Sequence, residues 1–140
     1  MGMYTELVMA CELPKDTPEN IINIIKYMLG EIDEKPDTVE EDDPLFNTTR
    51  WCCMLRSSSY YFIKSRSTSS LQYDDIAEQY ILSIWCNLKN YDEEIDKFLN
   101  WIIHYTSSYG FVGHTRYEEF ENPTLIYFDD NIVEYKVMNI

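Results

Sequence analysis

The chain has 140 residues, and its 45% hydrophobic and 15% aromatic content is too apolar for a disordered chain, so one globular domain over 1–140 is expected. A formal net charge of −14 disfavours binding to bare nucleic acid or to an anionic membrane and favours encounter with a basic partner. No run approaches the roughly eighteen apolar residues of a membrane span, and the start MGMYTEL lacks signal-peptide regions and the Ser or Thr that myristoylation needs at the sixth position.

Residues 3–13 alternate, with Leu7, Met9, Cys11 and Leu13 on one side, which predicts a half-buried strand. Thr17 is the expected N-cap of a helix that begins at Pro18 and stops at Gly30, with Ile21, Ile24, Ile25 and Met28 as its apolar stripe. The stretch that follows, 31–43, holds eight acids and one lysine and reads as an exposed acidic connector. Trp51–Leu55 and Ser59–Ile63 then read as two strands, with a short strand at Leu71–Tyr73. The second half starts with a strand at Gln79–Leu88. Asn90 or Asp92 can cap a helix striped by Ile95, Phe98, Leu99 and Ile102. Strands at 111–119, 124–128 and 132–137 complete the chain.

The two halves are alike. CELPKDTPENIINIIKYML aligns with CNLKNYDEEIDKFLNWII, pairing Cys11 with Cys86, Leu13 with Leu88, Ile21 with Ile95, Ile24 with Phe98 and Tyr27 with Trp101. Duplication of a β-α-β-β unit, with repeats 1–64 and 79–137, and chance similarity of two amphipathic units both account for this. In either case two helices with one apolar stripe each need a shared sheet face. The expected fold is therefore α+β, an antiparallel sheet with both helices on one face, ferredoxin-like.

No residue pattern points to catalysis. A nucleophile needs a neighbouring base and an orienting acid, yet the two histidines are His104, near the end of the second helix, and His114, on a strand. Cys11, Cys52, Cys53 and Cys86 lie in apolar stretches without zinc or redox spacing and read as reduced, buried thiols of a cytoplasmic protein. The connector lacks the glycine turn and spaced Glu of a calcium loop. Glu118 and Glu119 are adjacent on a strand and face opposite ways. No metal, cofactor or catalytic residue is assigned.

The distribution of charge is more informative. Residues 1–30 carry −2, the connector −7, residues 44–73 carry +4 and residues 74–140 carry −9. One reading places function on the acidic surface, with Asp37, Glu40, Glu41, Asp42 and Asp43 of the connector and Asp92, Glu93 and Glu94 of the second helix meeting a cationic protein in place of phosphates. Phe46, Trp51, Tyr91 and Tyr127 are candidate anchors, although Trp51 and Trp85 read better as core. The alternative places a small ligand of nucleotide type on the basic Ser/Tyr-rich segment 44–73, held by Arg50, Arg56, Lys64 and Arg66. A structural or virion component is a third reading.

The segments MGMYTELVMACELPKDTPENIINIIKYMLGE, NLKNYDEEIDKFLNWI and RYEEFENPTLIYF together resemble a family of small, uncharacterised proteins encoded by bacteriophages and prophages. The resemblance spans most of the chain and carries no site residues. It implies a context in which acidic proteins of this size inhibit bacterial defence systems, as anti-CRISPR proteins that mimic DNA do. The function expected is accordingly a non-enzymatic inhibitor acting in the host cytoplasm on a nucleic-acid-processing or defence protein.

Overall fold

The computed structural model describes residues 4–37, 39, 42–56 and 69–138. The fold is α+β. Strand β1 (Tyr4–Pro14) leads to helix α1 (Glu19–Leu29), a 3₁₀ turn at Pro44–Asn47, β2 (Ser70–Asp74) and β3 (Gln79–Lys89). Helix α2 (Glu94–Ile102), β4 (Gly110–Tyr117), β5 (Thr124–Asp129) and β6 (Ile132–Val137) follow. The six strands form one antiparallel sheet in the order β2-β3-β1-β4-β5-β6.

The period-2 pattern of β1 is realised: Leu7, Met9, Cys11 and Leu13 are buried, whereas Ala10 and Glu12 are exposed. Its whole length pairs with β3, from Tyr4↔Lys89 to Pro14↔Gln79, so the buried residues of β1 stand beside Leu82, Ile84 and Cys86 of β3. Ile21, Ile24, Ile25 and Met28 of α1 and Ile95, Phe98, Leu99 and Ile102 of α2 close over this face in one core. Fully burying side chains of this size contributes roughly 1.5–3 kcal/mol each. On the opposite face Glu6 and Asn87 are buried, Val8, Ser83 and Trp85 are half-buried, and Ala10 and Glu12 are exposed. In β4, a Cβ at Gly113 would lie 2.1 Å from the Val8 carbonyl oxygen, so glycine allows the close approach to β1 there.

The helix ends divide. Gly30 stops α1 in a left-handed conformation at φ 81°, as the sequence indicates. Pro18, not Thr17, occupies the N-cap position, because the Thr17 hydroxyl donates to the Pro14 carbonyl at 2.6 Å and its side chain makes no cap bond. At α2 neither Asn90 nor Asp92 is the N-cap: Glu93 holds that position in a left-handed conformation at φ 57° without a side-chain cap bond, and the Asn90 side chain, from outside the helix, accepts from the Ile95 N–H at 2.9 Å.

Two expectations are corrected here. Trp51–Leu55 is a run of turns, held by Cys53 N–H to the Arg50 carbonyl and Arg56 N–H to the Cys53 carbonyl, each 3.1 Å. Trp51, Met54 and Leu55 are the buried members, a helical spacing and not an alternating one. They fill the joint between the helices: Trp51 packs on Tyr27 of α1 and on Phe46, which in turn packs edge-on against Trp101 of α2. Cysteine burial also differs. Cys11 and Cys86 are buried, but Cys53 is exposed in this turn. The expected strand Ser59–Ile63 lies outside the described residues.

Candidate functional site

The connector leaves α1 at Gly30 and returns to the core at Leu45, which is fully buried. Glu31, Asp33, Glu34, Asp37 and Asp42 are exposed. Among the described residues no cation and no hydrogen-bond donor holds their carboxylates. The connector's lysine, Lys35, sits over the Trp51 ring at 5.8 Å. Asp43 differs from its neighbours: it is half-buried and accepts from the Leu45 N–H at 3.0 Å, capping the 3₁₀ turn. Glu40 and Glu41 lie outside the described residues.

The acids at the start of α2 are arranged otherwise. Glu94 is fully buried and so is no surface contact. One of its oxygens accepts from the Asp92 N–H at 3.0 Å, and the other lies 3.7 Å from the Arg50 guanidinium without a hydrogen-bond partner. Arg50 in turn lies over the Tyr91 ring at 5.2 Å. Asp92 accepts from the Thr49 N–H at 3.0 Å, and this bond, ahead of the nearby Arg50 and Lys97 charges, holds its carboxyl below the usual range. Asp96 accepts from the Tyr135 hydroxyl. Burial and then that carboxylate push the Tyr135 hydroxyl far up. Only Glu93 of the expected helix-two contacts is exposed. Of the expected contact acids, the connector thus supplies Asp37 and Asp42 as exposed carboxylates, and the start of α2 supplies Glu93 and the half-buried Asp92.

The basic segment is drawn on for structure in the parts described. Arg56 donates to the Tyr27 carbonyl at 2.7 Å and lies over the Tyr27 ring at 5.6 Å, closing the C-terminus of α1. Arg50 is the partner of Glu94. Lys64 and Arg66 lie outside the described residues. Tyr4, Arg50, Asn87 and Lys89 line a small hollow of about 210 Å³.

One surface escapes the sequence reading altogether. Val8, Ala10, Ser83, Trp85, Phe111 and His114 border a hollow of about 470 Å³ on the face of the sheet away from the helices. Trp85, expected in the core, is half-buried here, and its indole N–H donates to the buried Glu6 carboxylate at 3.0 Å. Phe111, 58% exposed, packs on Tyr127 beside it. The readable signal is the parity of β3: once Leu82, Ile84 and Cys86 face the helices, Trp85 must face away.

Among the described residues no three His, Cys, Asp or Glu side chains gather in a metal-binding cluster, and no helix is long and apolar enough to cross a membrane. No protein-family model, curated protein or solved structure matches the chain.

Proposed function

We propose that the protein is a non-enzymatic binding protein of phage type that inhibits a host nucleic-acid-processing or defence protein through the acidic connector. The observation that carries this reading is the set of exposed carboxylates at Glu31, Asp33, Glu34, Asp37 and Asp42, which no cation among the described residues neutralises. Displayed on a segment anchored at Gly30 and Leu45, they attract a basic groove over about a Debye length and raise the rate of encounter. Capture from a bacterial lysate followed by mass spectrometry tests it. The wild-type chain captures a nucleic-acid-binding or defence protein, and the variant Asp33→Asn, Glu34→Gln, Asp37→Asn, Asp42→Asn does not. Equal capture by both removes the reading.

The frame that carries this surface is, on our reading, ferredoxin-like, with the β5–β6 hairpin as an extension. The order β2-β3-β1-β4 and the chain sequence β1-α1-β2-β3-α2-β4 support it. Duplication gains support from register. The shift that pairs Cys11 with Cys86 carries Tyr4–Pro14 onto Gln79–Lys89, and it carries Met9 onto Ile84, its own cross-strand partner. A two-fold axis through that pair would exchange β1–α1 with β3–α2, while β5 and β6 have no counterpart among the described residues of 1–64.

A further inference from the structure

We infer that β6 is a homodimer edge, on which a second copy of this chain adds its own β6 antiparallel and in one defined register. This goes beyond the acidic-connector reading and does not depend on it. Among the described residues the sheet ends at β6, which pairs with β5 on one side only. On that strand and just after it, Ile132 is 60% exposed, Tyr135 43%, Val137 62% and Met138 38%, a concentration of apolar surface at an edge that soluble proteins ordinarily blunt.

The direction of the backbone groups selects which residues can pair. The Met138 N–H bonds inward to the Pro123 carbonyl at 3.3 Å. Alternation along an antiparallel strand then turns the N–H and C=O of Val133, Tyr135 and Val137 outward, toward the open edge. A second β6 must set its own outward residues against these. Centring the pair on Tyr135 opposes Val133 with Val137 of the other copy and brings all three outward residues into hydrogen-bonded pairs.

Charge then picks this register from its neighbours. Glu134 and Lys136 lie on the face of the sheet away from buried Ile126 and Phe128, and with the pair centred on Tyr135 each Glu134 meets the Lys136 of the other copy, twice by symmetry. Sliding the strands by two residues one way opposes Glu134 with Glu134, and the other way opposes Lys136 with Lys136. Opposite charges directly across a strand pair stabilise it, and like charges destabilise it. The same centring sets exposed Ile132 beside exposed Met138 of the other copy. Six-residue strands meeting edge to edge bury less than a standard interface, and two chains of net charge −14 repel. The dimer is therefore weak and concentration-dependent.

Sedimentation velocity from about one to several hundred micromolar tests this. The wild-type chain shifts from monomer to dimer across that range. Glu134→Lys sets lysine against lysine at both sites and weakens the dimer about tenfold or more, while Glu134→Lys combined with Lys136→Glu restores it, because the two charges have merely exchanged places. Val137→Pro puts a ring where an outward N–H stood and abolishes the dimer; far-UV circular dichroism and an unchanged melting temperature show that the fold persists. A wild-type chain that stays monomeric at the highest concentration overturns the inference. So does a dimer indifferent to both Glu134→Lys and Val137→Pro, which must form through another surface.

Discussion

The connector and the start of α2 are both rich in acids, DEKPD at 33–37 against DEEID at 92–96, and the structure treats those acids differently. At Glu31, Asp33, Glu34, Asp37 and Asp42 the connector carries exposed carboxylates without partners among the described residues, whereas Asp43 caps the 3₁₀ turn. At α2, Asp92 holds the Thr49 N–H, Glu94 is buried against Arg50, and Asp96 takes the Tyr135 hydroxyl. The difference comes from the helix. On the helix Glu94 falls on the stripe that faces the core and must find partners there, whereas the bends and turns of the connector present acids to water. Formal charge in a sequence is thus a poor measure of surface charge wherever it falls on an amphipathic element.

Glu94→Ala tests that contrast hardest. It removes the acceptor of the Asp92 N–H and leaves Arg50 without its buried partner, so denaturant unfolding is expected to show a loss of about 2–3 kcal/mol. A loss below about 0.5 kcal/mol would put Glu94 in the same class as the connector acids. Asn90→Ala comes next. It deletes the side-chain acceptor of the Ile95 N–H and is expected to cost about 1 kcal/mol by the same measurement.

The pH dependence of Asp92 sharpens the comparison further. Its folded carboxyl titrates below its unfolded value, so its hydrogen bond contributes stability above about pH 4 and loses that contribution as pH falls through the folded value. Melting curves should therefore place Asp92→Asn below the wild type at neutral pH, with the gap closing below about pH 4. A gap of constant size at all pH values would show that the carboxylate charge has no part in it. The smallest effect belongs to the connector. Asp33→Asn, Glu34→Gln, Asp37→Asn and Asp42→Asn together are expected to leave stability within about 0.5 kcal/mol per site, because none of these side chains holds a partner among the described residues.

Much of the frame was legible because backbone periodicity and burial agree in it. The alternation of β1 and β3, the stripes of α1 and α2 and the Gly30 stop all report a single buried face. Legibility failed where residue type and spacing disagreed. Trp51-Cys52-Cys53-Met54-Leu55 has the composition of a strand, but its large residues fall at helical intervals and its backbone turns to plug the helix joint. Glu94 was readable in principle, since it stands four residues before Phe98 on the buried stripe. An acidic run invites reading all its members as exposed. The basic segment misled for a related reason, because Arg56 and Arg50 serve a helix end and a buried carboxylate, and neither role leaves a mark in composition. The β6 edge could be named as a strand from its alternation, but its place at the end of the sheet is a property of strand order.

The most direct measurement is the association rate of the partner captured from lysate, followed at several salt concentrations for the wild type, for the fourfold connector variant and for Asp92→Asn. The account predicts that the connector variant associates about tenfold more slowly and loses most of its salt dependence, while Asp92→Asn, which removes one carboxylate at the rim, slows association far less. Identical rates and identical salt dependence for the wild type and the connector variant would contradict it.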